Sequence, residues 1–326
     1  MVDDFTAAPV CVPRELYRGG APRRLFAEAA RFFRRRIGPA VDDWPAGLTE
    51  RWMFGSRLPL EEAWSLALTD DGPVGFCLGR ELGSGLEALL CYLSGRFNTA
   101  ANAAELLNAV GRRRAFILAG ETALSPAVPE LAAELPRCGW ERFPRLELLY
   151  DFSEQPPPQR SAPPGDYTVE RLRPAHLDKL ALLQAACYLG TDDARLHPRL
   201  AEPAGSQRVL EEVLGGRYGE PLRSACLLAR SGTGATAAFV LTTTVSDARD
   251  RRLGFIASVG VGPAHRGRGL GRRLVDEVLR ACRHAELAGA ALVVSATNHS
   301  GRALYRGAGF RQSGQTALYR RDTAAT

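Results

Sequence analysis

Lysine is almost missing from this chain of 326 residues: Lys179 stands alone among 42 basic residues, and the rest are arginine. A nucleic-acid surface concentrates its positive charge on one face or stripe. Here the arginines are spread along the whole chain beside abundant alanine, glycine and proline, which reads as a bias of residue usage. The net charge of +6 therefore leaves room for a local site for a phosphorylated small molecule, with no nucleic-acid partner expected. Also missing is any apolar run near the ~18 residues that cross a membrane. The start, MVDDFTAAPV, opens on acidic residues instead of a basic and then apolar leader, so no secretory signal is expected. The seven cysteines (Cys11, Cys77, Cys91, Cys138, Cys187, Cys226 and Cys282) are odd in number, widely spaced and free of any C-x-x-C. They read as small buried hydrophobes in a reducing compartment, which places the chain in the cytoplasm. The five histidines show no H-E-x-x-H or other ligand spacing, so no metal site is expected.

What is present is enough sequence for two domains of ordinary size. The clearest break is FSEQPPPQRSAPPGD, Phe152 to Asp166, with five prolines and no apolar periodicity. It reads as a stiff, solvated tether. The expected organisation is a domain over 1–153, a linker over 154–165 and a second domain over 166–326. In the second half a strand at YTVER leads to a helix over 176–189 and a short helix in GSQRVLEEVLGG. SACLLAR and ATAAFVLTTTV form a hairpin around SGTG. RLGFIASVGV is the next strand, followed by a glycine-arginine segment, a helix over 270–287, the strand AALVVSAT, a short helix in SGRALYRGA and a last strand. The first half runs in parallel. AWSLALTDDGPVGFCLGRE is a strand pair, LEALLCYLS a strand, AANAAELLNAVGRR a helix and RAFILAGE a strand. Both halves close on a short helix, a Gly-aromatic pair (Gly139-Trp140, Gly309-Phe310) and a strand carrying Tyr150 or Tyr319, which suggests an internal duplication.

The segment VGVGPAHRGRGLGRRLV, Val259 to Val275, joins a strand to a helix. Pro263 disfavours helical geometry at Gly262, and the helix begins near Gly269 or Leu270. The first N–H groups of a helix lack internal partners and carry the positive end of its dipole. Glycines at 267, 269 and 271 leave those amides uncovered, and the arginines add positive charge, which makes a cradle for phosphates. It is neither a nucleotide P-loop, having no Lys-Ser/Thr close, nor a dinucleotide fingerprint, since position 272 is arginine.

What stands is R-x-x-G-x-G at Arg266, Gly269 and Gly271, with VGVGP before it and NHSGRALYRGAGF after it. This resembles the pyrophosphate motif of the GNAT (GCN5-related) N-acetyltransferase superfamily, over Tyr167 to Arg321. The resemblance implies an α/β (α+β) fold of two GNAT-like domains, each a mixed, mostly antiparallel sheet flanked by helices, as in tandem members of the superfamily. The N-terminal copy is degenerate, since RFNTAANAAELL stands where a cradle would be. It implies acetyl-CoA as co-substrate and an amine as acceptor. Val259, Gly260 and Val261 would splay from the neighbouring strand and pair with the pantetheine arm. The amides of Arg266, Gly267, Arg268, Gly269, Leu270 and Gly271, with Arg272 at the end, would hold the pyrophosphate. Asn298 would touch the cofactor and also cap its helix. Tyr305 aligns with the general acid that protonates the leaving thiolate. The implied activity is direct attack of a primary amine of a small molecule or protein, through a tetrahedral oxyanion. The alternative is a catalytically silent acyl-CoA-binding regulatory module. The central strand has Gly254, Phe255 and Ile256 where some members carry a glutamate base, so Ser258, Glu211, Glu212 and Asp250 remain as groups to order a water. In the segment from Tyr188 to Gly219, which lines the acceptor pocket in that superfamily, Asp192 and Asp193 could attract a cationic amine.

Overall fold

The computed structural model describes residues 6–9, 64–69, 72–82, 84–111, 114–120, 131–159, 165–247 and 249–323. They divide into two compact units: Met1–Phe143 with Thr316–Thr326, and Pro144–Gln315.

The first unit is built from strands β1 (Thr6–Pro9), β2 (Trp64–Thr69), β3 (Gly72–Leu82) and β4 (Gly85–Leu93), paired antiparallel in that order. Helix α1 (Ala100–Val110) follows, an alanine- and leucine-rich run whose propensity is high. It buries Ala103, Ala104, Leu106 and Leu107. It crosses to β5 (Phe116–Gly120), which lies parallel to β4 over Leu86–Ala88. Helix α2 (Leu131–Arg137) then ends at Gly139, whose φ of 82° suits glycine alone, and delivers Trp140 to the core.

The second unit begins inside β6 (Glu141–Asp151) and continues through β7 (Thr168–Arg171), α3 (Leu177–Tyr188), α4 (Asp192–Leu196) and α5 (Pro203–Leu214). Then come β8 (Glu220–Pro221), β9 (Leu227–Arg230), β10 (Thr236–Ser246), β11 (Arg252–Val261), α6 (Leu270–His284), β12 (Gly289–Ser295), α7 (His299–Ala308) and β13 (Arg311–Asp322). The sheet order here is β6-β12-β11-β10-β9-β7, with β8 on β10. Among the described strands of this unit, β11 and β12 are the pair that runs parallel. Leu270, Leu274, Val278 and Cys282 of α6 fall at helical spacing and are buried on the sheet. The two units thus share one order: an antiparallel run, a helix, a parallel strand, a short helix and a closing strand.

The closing strands are exchanged. Beside β12 lies β6, with Arg145–Asp151 antiparallel to Gly289–Ser295. Beside β5 lies the end of β13, with Leu318–Asp322 antiparallel to Phe116–Gly120. Tyr150 is accordingly buried in the second core and Tyr319 in the first. The units therefore run differently from the spans 1–153 and 166–326 expected from the proline break, because strand pairing and not composition sets where contacts end. The described part of that break is also no free tether. Tyr150 donates to the Pro156 carbonyl (2.5 Å), Gln155 to that of Gly309 (2.8 Å), and Arg280 to those of Pro158 and Gln159 (3.2 Å each). Proline lacks an N–H, but its segment still offers carbonyls. Residues 160–164 lie outside the described set. Cys77, Cys91, Cys226 and Cys282 are buried thiols, Cys187 is half-buried and Cys138 exposed, while Cys11 lies outside the described residues.

Two predictions follow from the placement of β6. A chain starting at Glu154 loses Leu146, Leu148 and Tyr150 from the second core and strands the β12 edge. Each such side chain is worth about 1.5–3 kcal/mol, against a whole of ~5–15 kcal/mol, so this fragment should show no cooperative melt by circular dichroism. A fragment with a sharp transition would contradict this. The end of β6 is also fastened by Asp151, whose carboxyl is held down at about 2 by hydrogen bonds from Ser153 and Arg251 (2.7 Å to Arg251). With the folded value lowered, its contribution is present above the unfolded value of ~3.9 and is lost as pH falls through about 2. Urea unfolding should therefore find Asp151→Asn destabilised at pH 7 and indistinguishable from the parent near pH 2. An equal deficit at both would refute the assignment.

Candidate active site

The second unit opens along β11. This strand pairs with β10 from Arg252 to Val261 but with β12 only through Leu253, Gly254 and Phe255. Between the pairs Thr242–Ile256 and Leu241–Ser258 the register shifts by one, leaving Ala257 as the extra residue of a β-bulge. A bulge bends and twists its strand. Past it, the β12-side edge of β11 has no strand partner among the described residues. Gly260 lets the strand lie close to its neighbours, since a Cβ there would meet a Phe239 ring carbon at 2.5 Å and the Cys187 sulfur at 2.9 Å.

After β11 the chain makes one 3₁₀ turn at Pro263–His265, runs extended at Arg266, and takes φ of 74° at Gly267 and 77° at Gly269 before α6. Those two angles lie in the left-handed region, which glycine enters without penalty. A Cβ on Gly267 would meet nothing within 4 Å. Gly269 caps the helix without any side-chain hydrogen bond, so the first amides of α6 stay uncovered. Gly271 acts differently: its missing Cβ admits Leu304 of α7 (3.2 Å) and Val261 (3.5 Å). Behind the loop, Arg268 donates to the Tyr167 hydroxyl (3.0 Å), which bonds Nδ1 of His265 (3.0 Å). Nothing in the motif pointed to Tyr167 or His265; an aromatic just before β7 was the only trace.

The parted strand, the loop and the start of α7 enclose a cleft of about 840 Å³. Val259, Gly260, Val261, Arg266, Gly267, Gly269, Leu270, Gly271, Asn298 and Tyr305 all line it, so the structure brings most of the expected residues together. Arg268 and Arg272 are not among the lining residues. The Arg268 side chain is turned to Tyr167, and Arg272 ties α6 to α7 by donating to Asp276 (2.7 Å) and to the Gly307 carbonyl (2.5 Å). Asn298 caps α7, its Oδ1 accepting from Gly301 N at 2.8 Å. Arg266 folds back onto the Val261 carbonyl (3.2 Å), remaining the one arginine on the cleft wall.

Tyr305 is 6% exposed and packs edge-on to Phe310 at 5.8 Å. Burial pushes its phenol far above the ordinary tyrosine value, with added repulsion from Tyr188 and Asp193. Tyr188, at the end of α3, shares a 2.9 Å hydrogen bond with Ser258 of β11, and burial lifts it to about 12. Of the groups considered for ordering a water, Ser258 stands beside the bulge in this pair. Glu212 is taken up by Arg199, Arg217 and Tyr218. Glu211 lines a different hollow, and Asp250 sits in the β10–β11 turn with φ of 56°. Asp192 and Asp193 do line the cleft. Asp192 accepts from Thr297 (2.5 Å), and Asp193 from Arg145.

In the first unit the comparable helix, α1, begins otherwise. Thr99 caps it, its hydroxyl accepting from Asn102 N at 3.2 Å, and Asn102 in turn donates to the Phe97 carbonyl (2.9 Å). A side chain here takes the Asn102 amide, where the start of α6 has no side-chain cap. Among the described residues no cluster of three His, Cys, Asp or Glu side chains is placed to hold a metal ion, and no helix is long and apolar enough to cross a membrane.

The model of the Acetyltransferase (GNAT) family matches residues 197–310. No match was found among curated proteins. Among solved structures, a GCN5-related N-acetyltransferase from Sphaerobacter thermophilus superposes with a TM-score of 0.61 at 21% identity, over 99% of this chain and 97% of that one. A tandem GNAT protein from the clavulanic acid biosynthesis pathway gives 0.57 at 16% identity, over 99% and 100%. A glucosamine N-acetyltransferase region of a fungal multi-domain β-N-acetylglucosaminidase gives 0.60 at 14% identity, over 98% of this chain and 38% of that one. The fold is the GNAT fold, with a tandem arrangement among its likenesses.

The cap on α7 gives a measurable expectation. Asn298→Ala removes the one side-chain acceptor at that helix start and should cost about 1 kcal/mol in urea unfolding. A variant as stable as the parent would mean that another group satisfies the Gly301 amide.

Proposed function

We propose that the second unit transfers an acetyl group from acetyl-CoA to a primary amine of a small molecule or protein, in the cytoplasm. One observation carries this reading: a strand edge without a partner, two left-handed glycines before uncovered helix amides, and a buried phenol all face one cleft. These residues fit coenzyme A. The edge donors and acceptors of Val259–Val261, of which the Val261 carbonyl is held by Arg266, suit the amides of the pantetheine arm, and the amides from Arg266 to Gly271 suit a diphosphate. Asn298 adds a polar contact from the opposite wall. When bound, the thioester supplies an activated acetyl carbon.

The chain's own residues then do the rest. A backbone N–H on the parted edge of β11 stabilises the negative oxygen that forms when the amine attacks. Burial favours the neutral, proton-bearing form of the Tyr305 phenol. It gives that proton to the departing thiolate, as a general acid on the cleft wall. The first unit, with its side-chain-capped helix, supplies no second cradle.

Acetyl-CoA at 100 times its Kd should raise stability by about 2.7 kcal/mol, visible as a clear rise in Tm. Tyr305→Phe should keep that rise while losing about a hundredfold in turnover, read as free thiol released across a panel of amines. An unchanged Tm with millimolar acetyl-CoA would defeat the reading. Binding without thiol release for any amine would leave a silent acyl-CoA-binding module in its place.

A further inference from the structure

The attacking amine must lose a proton as its nitrogen bonds to the acetyl carbon, and β11 has no carboxylate to take it. Gly254 shows why one has no room at that end: a Cβ there would lie 2.2 Å from the sulfur of Cys282. The cleft does hold two carboxylates, both in the first turn of α4, and their surroundings differ. Asp192 is engaged by Thr297 at 2.5 Å and lies 3.6 Å from Arg195 on its own helix. Asp193 is held from outside that helix. Its Oδ1 accepts from Arg145, whose same nitrogen reaches the Ser295 hydroxyl at 2.6 Å. Arg145 is 12% exposed and sits opposite Ser295 in the β6–β12 register, so Asp193 is anchored to the sheet at the mouth of the parting. The groups that face it from other elements are the Arg145 guanidinium of β6 and the phenols of Tyr188 on α3 and Tyr305 on α7; Asp192 and Arg195 are its charged neighbours on α4. Asp193 and Tyr305 line the same cleft, and the Tyr188–Ser258 pair stands at the bulge of β11.

We propose that Asp193 is the general base of the transfer, standing where a carboxylate on the central strand is missing. This rests on the acetyltransferase reading above. A carboxylate oxygen of Asp193 takes the N–H proton of the amine as the nitrogen–carbon bond forms. The carbon–sulfur bond breaks with its electron pair on sulfur, which takes the Tyr305 proton. The tyrosinate then recovers a proton from the Asp193 carboxyl, and both side chains return to their starting states. Amine and thioester become amide and thiol with no proton left over. Arg145 is a positioning residue: it fixes the carboxylate against the end of β12 through the Ser295 hydroxyl.

The test is the pH profile of kcat/KM for an accepted amine, in the full-length chain at saturating acetyl-CoA. Asp193→Asn should lose a hundredfold or more in kcat, keep the acetyl-CoA rise in Tm, and lose the acidic limb of the profile. Asp193→Glu should recover at least tenfold over Asp193→Asn, with the limb restored. Arg145→Met should lose at least tenfold in kcat and keep the acetyl-CoA rise in Tm, since the carboxylate is no longer held in place, and Arg145→Lys should recover part of that loss; this pair decides the matter where Asp193→Asn does not fold. Turnover of Asp193→Asn, or of Arg145→Met, within threefold of the parent overturns the role of Asp193 while the parent still acetylates. A parent chain with neither an acetyl-CoA Tm rise nor thiol release overturns the underlying reading instead.

Discussion

The second unit depends on a hydrogen-bond ladder that stops early. β11 and β12 pair through three residues and then part, while β10 keeps β11 in place along its whole length. A backbone N–H or C=O removed from water without a partner costs about 1–3 kcal/mol. The parted edge is therefore tolerable only where it faces solvent or a ligand rich in amides. The Ala257 bulge produces the bend, and Gly260 permits it by letting Phe239 and Cys187 lie against the strand. Everything chemical is arranged round this opening: the glycine loop at its far end, Tyr305 on one wall, and Tyr188 with Ser258 at the bulge.

The opening is held by a strand from elsewhere in the sequence. β12 can part from β11 because β6 supplies its other edge over seven register pairs, from Asp151 to Arg145. The same strand carries Arg145 to Ser295 and Asp193, so one element both completes the sheet and orders a charged group of the cleft. Gly289 shows how close that pairing is, since a Cβ there would lie 2.1 Å from the Tyr150 carbonyl. A strand that does both leaves little freedom to change either the sheet or the site alone.

Much of this was legible in the sequence because it is local. The strand-to-helix segment is spelled by proline, glycine and arginine within a few residues, and the two φ values above 70° are what the glycines announce. The helix cap at Asn298 and the aromatic after Gly309 belong to the same class of short-range signal. The exchange of β6 and β13 was not legible. Alternating apolar residues in LELLY say which face is buried but not which sheet receives it, and proline-rich composition marks a boundary that strand pairing overrides. The side-chain partners of the arginines were not legible either: a long guanidinium takes the nearest good acceptor, here Tyr167 for Arg268, and Asp276 and the Gly307 carbonyl for Arg272. Long-range partners such as Tyr167 with His265, or Arg145 with Asp193, have no sequence signature at all.

The two units start the corresponding helix differently on one order of elements. Both place a helix after the strand that pairs in parallel, and both hold that parallel pairing to three residues. In the second unit the helix starts on a left-handed glycine and its amides are bare. In the first it starts on Thr99, whose hydroxyl takes the amide that an anion would need, and Asn102 closes the turn onto Phe97. A threonine cap stabilises a helix by about 1 kcal/mol relative to alanine. A glycine start gives up only a few tenths of a kcal/mol against threonine, so it leaves the first amides uncovered at almost no cost to the helix. In the second unit those amides open on the cleft.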